Sequence, residues 1–221
     1  MLKLERLSVF VDGKEVVRNV TAGFEGINIL MGPNGSGKSS LAFAIAGHPK
    51  YKTKGKIFLD GEEISSLKPE ERAKLGIFLA FQNPPEIEGV SMKKLAGILS
   101  EKYEEEAKAL GVEDLLERSL NYKFSGGEKK RSELFQLLLL KPRFAILDEI
   151  DSGLDVEGIK KVFEAMEKLR KTSFLFITHH PETAEMIKAQ RVFVMVDGRF
   201  AYSGGSEMIK RIKEEGYTWL E

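Results

Sequence analysis

Apolar positions along the chain recur with the two-residue period of strands and the longer period of helices, in alternating blocks. Residues 2–25 alternate apolar and polar around Asp12-Gly13, a turn dipeptide, and predict two antiparallel strands. A short continuous apolar run at 27–31 predicts a buried strand, and residues 41–46 carry apolar side chains at helical spacing. Residues 56–59, Asp60-Gly61 and residues 62–64 predict a second hairpin, and residues 69–74, with Pro69 at the start, a short helix. Residues 77–81 are too continuously apolar for a strand with one wet face, and predict a place inside a parallel sheet covered on both faces.

Beyond Gln82 the pattern changes. Asn83-Pro84-Pro85 is a break, and residues 91–99, 101–110 and 113–116 have helical periodicity, which predicts an inserted helical lobe. A helix at 126–140 follows, then a buried strand at 144–147. The next helix is amphipathic, with Val156, Ile159, Val162, Phe163, Met166 and Leu169 on one face. Strands at 174–177 and 191–196, a turn at Asp197-Gly198, a strand at 199–202 and a helix after Gly204-Gly205 complete the chain. Strands separated by helices imply right-handed crossovers and a mostly parallel sheet, hence an α/β fold. The expected organisation is one domain over residues 1–221. Its core and β lobe would come from 1–81 and 136–221, and its helical lobe from about 83–135.

Composition narrows the chemistry. Lys+Arg and Asp+Glu each number 34, so the formal net charge is zero and no general attraction to nucleic acid is expected. The absence of cysteine removes disulfides, thiolate nucleophiles and thiolate ligands for zinc or an iron–sulfur cluster. No apolar run approaches a membrane span, and residues 1–6 alternate as a strand does rather than as a signal peptide. A soluble, cytoplasmic protein with no membrane insertion is expected.

Between the strand at 27–31 and the helix at 41–46 stands Gly32-Pro33-Asn34-Gly35-Ser36-Gly37-Lys38-Ser39, followed by Ser40. The spacing G-x-x-x-x-G-K-S between a strand and a helix is that of a phosphate-binding loop, whose glycines let backbone N–H groups close around nucleotide phosphates. Lys38 would reach the β and γ phosphates, and Ser39 would offer its hydroxyl to Mg²⁺. The nucleotide would be ATP or GTP.

Two further stretches suit that chemistry. Residues 144–147 end in Asp148-Glu149, placing two acids at the carboxyl edge of a strand, where α/β proteins bind ligands. Asp148 would hold Mg²⁺ through water, and Glu149 would polarise an attacking water. Ser125 and Glu128, in Ser125-Gly126-Gly127-Glu128, have the spacing of a capping box. The serine and two glycines at a helix start also make a second anion site. Two phosphate sites in one chain suggest a nucleotide sandwiched between two chains.

With these motifs in place, the sequence resembles the ATP-binding-cassette ATPases. The family's marks occur in family order: the phosphate loop, Gln82 as the Q-loop glutamine, the signature at 125–128, Asp148-Glu149, the D-loop Ser152-Gly153-Leu154-Asp155, and His179 as the switch histidine. His180, before Pro181, reads instead as a helix N-cap. The resemblance implies a P-loop NTPase (RecA-like) core with an antiparallel β lobe and an inserted helical lobe, and hydrolysis of ATP with Mg²⁺. It implies metal contacts from Ser39, Gln82 and Asp148, with Gln82 also coupling to the helical lobe, and a hydrogen bond from His179 to the γ phosphate. It further implies ATP-dependent head-to-tail homodimerisation, the signature of one chain capping the ATP bound by Lys38 of the other.

Within the family, residues 81–91, 124–131, 147–155 and the tail from Gly204-Gly205 to Leu220 resemble the ATPase subunit of the SUF iron–sulfur cluster assembly machinery. Glu128 and Gly153 both fit that branch. It implies docking of a soluble SufB- or SufD-type scaffold around residues 83–91, where Pro84, Pro85, Ile87 and Val90 stand between acids. On residues alone, the prolines would stiffen a connection and Ile87 and Val90 would pack beneath it. The helical lobe is shorter than that branch suggests. Phe10 and Val11 lie where many cassettes place an aromatic to stack on adenine. The competing reading is the nucleotide-binding subunit of a membrane transporter.

Overall fold

The computed structural model describes residues 1–217 and 219. In chain order its elements begin β1 (Leu2–Val11), β2 (Lys14–Phe24), β3 (Ile27–Met31), α1 (Lys38–Ala46), β4 (Lys52–Leu59) and β5 (Glu62–Glu63). Next come α2 (Pro69–Lys74), β6 (Ile77–Ala80), β7 (Ile87–Ser91), α3 (Met92–Leu99), α4 (Glu104–Leu110), a 3₁₀ turn (Glu113–Leu115) and β8 (Ser119–Leu120). The chain continues through α5 (Gly126–Leu140), β9 (Phe144–Asp148), α6 (Val156–Lys168), β10 (Ser173–Ile177), α7 (Pro181–Met186), β11 (Arg191–Val196), β12 (Arg199–Gly204) and α8 (Glu207–Glu215).

β1 and β2 form the hairpin that the alternation predicts, with Asp12 and Gly13 both at positive φ, as a tight turn between twisted strands requires. β4 and β5 extend this antiparallel sheet in the order β2-β1-β4-β5. Its inner side chains, among them Leu2, Leu4, Leu7, Val9 and Phe24, are fully buried and share one core with Leu41, Ala42 and Ile45 of α1. The second sheet has the order β12-β11-β3-β10-β9-β6, parallel except for β12. Parallel strands put their carboxyl ends on one edge, so the ends of β3, β9, β10 and β6 meet there. All the site motifs except the signature follow one of these ends.

Four expectations need correction. The run 77–81 is not an interior strand: β6 closes the six-stranded sheet and, among the described residues, pairs only with β9. Helices cover its faces, Ile77 and Leu79 are buried, and an apolar run reports covered faces rather than a paired edge. β7 and β8, paired as a small antiparallel sheet, were not foreseen, because β7 is largely exposed and offers no apolar alternation. Val156, expected on the apolar face of α6, is 67% exposed, because it opens the helix nearly two turns before the helix docks through Val162, Ala165 and Met166. The helix expected from residue 101 begins at Glu104. Thr218 and Leu220, which belong to the tail resemblance, lie outside the described residues.

Candidate nucleotide-binding site

The loop after β3 has the conformation its glycines allow. Gly32, Gly35 and Gly37 have φ of 149°, 79° and 108°. A Cβ on Gly37 would stand 2.7 Å from Val16 O, so the loop passes the hairpin too closely for a larger residue. Gly37 is also the N-cap of α1 and supplies no side-chain cap, which leaves the first N–H groups of the helix open toward a ligand. Lys38 is buried, and its Nζ donates to the Gly32 and Pro33 carbonyls at 2.8 and 3.0 Å. Burial holds its ammonium below the usual lysine range, against the attraction of Glu149 and Asp148. The Ser36 hydroxyl is buried without a hydrogen-bond partner among the described residues.

Around this loop lies a cleft of about 530 Å³ lined by Val16, Asn34, Gly35, Gly37, Lys38, Ser39, Ser40, Gln82, Glu149, Ser152 and His179. Five separate stretches of sequence thus converge on it, four of them following strand ends at the parallel sheet's carboxyl edge and the fifth, Val16, coming from the β1–β2 hairpin. Phe10 and Val11 do not line it; Val16, on the other strand of the same hairpin, does.

Asp148 ends β9 and is 2% exposed. Burial pushes its carboxyl up to about 6; the Ser39 hydrogen bond opposes this, the Glu149 charge adds to it, and Lys38 and Lys130 oppose it. Its Oδ1 has no hydrogen-bond partner among the described residues. A buried, unsatisfied carboxylate oxygen beside a serine hydroxyl is a pair of hard oxygen donors. Such a pair suits Mg²⁺, which takes few protein oxygens and completes its shell with water and phosphate. Among the described residues no cluster of three or more histidine or acidic groups is placed to hold a metal ion.

Glu149 is held from several sides. Its φ of 50° turns the chain sharply out of β9, and its N–H donates to Ile177 O at 3.0 Å. Gln82 Nε2 donates to its Oε2 at 2.5 Å, and His179 Nδ1 faces its Oε1 at 3.3 Å without forming a hydrogen bond. Lys130, buried in α5, donates to the carbonyls of both Gln82 and Glu149 at 3.0 Å. Sequence reasoning passed over Lys130 because an interior lysine in a charged run looks like a solvated face. It also passed over Thr178, whose hydroxyl donates to Asp151 Oδ2 at 2.6 Å and accepts the His180 N–H at 3.0 Å, bracing the turn that carries His179. His180 takes the N-cap position of α7, but its side chain makes no cap hydrogen bond.

The signature lies outside the cleft. Ser125 Oγ accepts the Glu128 N–H at 3.3 Å while Glu128 Oε2 accepts the Ser125 N–H at 2.6 Å, a complete capping box. Arg118 Nη1 holds the other carboxylate oxygen of Glu128 at 3.1 Å. A Cβ on Gly126 or Gly127 would meet nothing within 4 Å, so both backbones face open space. Gly127 lines a separate cavity of about 320 Å³ with Arg131, Gly153, Leu154 and Asp155. The D-loop therefore bridges two sites, Ser152 in the first and residues 153–155 in the second. Asp155 caps α6 by accepting the Gly158 N–H at 2.8 Å.

An ammonium, a buried carboxylate beside a hydroxyl, and a second carboxylate flanked by amide and imidazole around a glycine loop are the components of phosphoryl transfer to water. The sequence profile of the ABC transporter family matches residues 19–152. The chain belongs to the ATP-binding-cassette family. A probable ABC transporter ATP-binding protein of Streptococcus pyogenes serotype M3 is 42% identical, the match covering 100% of this chain and 94% of that protein. Vegetative protein 296 of Bacillus subtilis is 40% identical, over 100% and 93%. A probable ATP-dependent transporter of Synechocystis is 40% identical, over 100% and 96%. Among solved structures, an ATP-binding subunit of an ABC transporter shares the fold with a TM-score of 0.85 at 23% identity, covering 100% of this chain and 99% of that one. The cassette is an ATPase that uses ATP with Mg²⁺, and cassettes of this family dimerise and act with other subunits. Among its described residues no helix is long and apolar enough to cross a membrane.

Proposed function

We propose that residues 32–40 hold the phosphates of ATP, that Ser39, Asp148 and Gln82 serve its Mg²⁺, and that Glu149 polarises the attacking water while His179 meets the γ phosphate. The observation that carries this reading is the convergence of Gln82 and His179 on the two oxygens of one carboxylate, that of Glu149. An acceptor so held stays aimed into the cleft, and positioning is most of what phosphoryl transfer asks of a protein. Mg²⁺, when bound, neutralises phosphate charge. Lys38 must then exchange the Gly32 and Pro33 carbonyls for phosphate oxygens. Residues 1–221 act as one cassette domain, and Ser125, Gly126, Gly127 and Glu128 of a second copy, with the D-loop residues 152–155 between them, close over the ATP. The open backbones of Gly126 and Gly127 support that role.

The partner is a soluble scaffold of the SufB or SufD type, and ATP binding drives its rearrangement during iron–sulfur cluster assembly. Support comes from the SUF-like stretches and from the cysteine-free chain, which leaves thiolate ligands to a partner. β7 adds a route for coupling. It presents Ile87, 41% exposed, and is tied to the signature helix by the Glu86–Lys129 ion pair at 2.8 Å. Asn121 Nδ2 also donates to Pro85 O at 3.1 Å. Pro84 is buried, as a stiffening residue would be, whereas Ile87 is not. The second reading, a transporter's nucleotide-binding subunit, is favoured by the names of the relatives. Purification of the native complex decides: a soluble scaffold supports cluster assembly, and recovery only from detergent-solubilised membranes with a polytopic partner rejects it.

A further inference from the structure

The tail of the chain touches the nucleotide site from behind. After α8 the backbone turns at Gly216, at φ 70°, and Tyr217 folds back so that its phenol oxygen accepts the Gly32 N–H at 3.2 Å. Gly32 opens the phosphate loop. A Cβ there would stand 2.1 Å from Met195 O, so only glycine fits, and glycine leaves the rotation about its Cα unrestrained by any side chain of its own. The restraint comes from both flanking peptides. Tyr217 holds the Met31–Gly32 peptide through its N–H, and Lys38 holds the next one through the Gly32 carbonyl at 2.8 Å. Lys38 must let go when it turns to a phosphate, whereas the Tyr217 bond does not involve the ligand.

The tail is built to present that phenol. Trp219 Nε1 donates to Gly216 O at 2.8 Å, closing the turn, and the Arg211 guanidinium stacks 3.9 Å over the Trp219 ring. Tyr217 and Trp219 both pack against the larger core. α8 in turn packs on α7, the helix that follows His179-His180, so one element backs both the loop entry and the histidine turn. Burial pushes the Tyr217 phenol up, which keeps the hydroxyl neutral throughout the neutral range.

We propose that Tyr217 is a positioning residue for nucleotide binding: its phenol fixes the Met31–Gly32 peptide so that the loop amides and Lys38 meet the phosphates in a single arrangement. The inference rests on the assignment of residues 32–40 to the phosphates.

The test is Tyr217→Phe in the full chain, which keeps the ring and removes the acceptor. KM for ATP and Kd for Mg²⁺-ADP should rise about five- to tenfold, the effect of one hydrogen bond, with kcat within about twofold. The melting temperature should stay near that of the wild type, and the Gly32 amide should exchange with deuterium faster. Tyr217→Leu should add a loss of melting temperature to the same rise in KM. KM and Kd within about twofold of wild type in Tyr217→Phe would overturn the proposal, as would parallel changes in KM, kcat and melting temperature. Lys38→Ala separates the two readings. Normal nucleotide binding by Lys38→Ala overturns the site assignment and this inference with it, while loss of binding there beside a silent Tyr217→Phe overturns the role of Tyr217 alone.

Discussion

Gln82 Nε2 donates to Glu149 Oε2 at 2.5 Å, joining the segment after the sheet's edge strand to the end of β9 across the cleft. Lys130 ties the same two residues through their backbone carbonyls, so their side chains are joined to each other and their main chains to one helix. That helix begins with the signature. Ser125, Gly126 and Gly127 are thus linked to Gln82 and Glu149 through the one helix that carries Lys130.

If Glu149 orients the attacking water, Glu149→Gln keeps the shape of the site and loses the base. ATP affinity should stay within a few-fold of wild type while turnover falls by roughly a hundredfold or more. Gln82→Ala frees the carboxylate without removing it, and should cost about tenfold in kcat with little change in KM. Steady-state ATPase assays and nucleotide titrations check both, and Glu149→Gln turning over like wild type sinks the assignment.

If the open glycines Gly126 and Gly127 cap ATP, they must do so from a second chain, because they lie outside the cleft that holds Lys38. Glu149→Gln with ATP and Mg²⁺ should run as a dimer by light scattering and as a monomer with ADP. A monomer under both conditions, with the scaffold present as well, contradicts the sandwich.

What the sequence revealed and what it concealed divide along physical lines. The loop at 32–39, the Asp148-Glu149 strand end and the Ser125/Glu128 capping box were legible because each depends on residues close in sequence, with chemistry set by spacing. The starts of α2 and α5 were legible because Pro69 and Ser125 mark them. The edge position of β6 was hidden, since hydropathy reports covered faces and pairing depends on distant chain. Lys130, Thr178 and Tyr217 were hidden for a related reason: each acts through backbone or side-chain groups far away in sequence. The tail motif was visible as a resemblance, but nothing local linked residue 217 to residue 32.

Glu133 gives the fold a pH dependence. Its carboxylate is buried in α5 and accepts the Phe81 N–H at 3.0 Å; burial pushes it from its ordinary 4.5 up to about 7, against that hydrogen bond and the Lys130 charge. The folded state therefore holds a proton that the unfolded chain has already released, and stability is full below about 4.5 and falls as pH rises toward 7. The loss from this group should be on the order of 3 kcal/mol. Glu133→Gln keeps an oxygen for the Phe81 N–H and removes the titration. Its melting temperature should therefore change less between pH 5 and pH 8 than that of the wild type, by several degrees. Equal pH dependence in both proteins refutes the assignment.

The partner surface can be tested apart from the ATPase. Ile87 is exposed at the start of β7 and Val90 is half-buried near its end, and among the described residues β7 pairs only with the two residues of β8. Charges at these positions are cheap for the fold, because neither residue belongs to either buried core. They are costly for an interface, since a carboxylate facing an apolar partner must be desolvated without a counter-charge. Ile87→Asp with Val90→Asp should weaken scaffold binding by about a hundredfold, or roughly 3 kcal/mol. Melting temperature, ATP affinity and basal hydrolysis should stay near those of wild type. Isothermal titration against the purified scaffold reads the first effect and the ATPase assay the second. Undiminished scaffold binding would move the docking site off β7 and leave the exposure of Ile87 without a role.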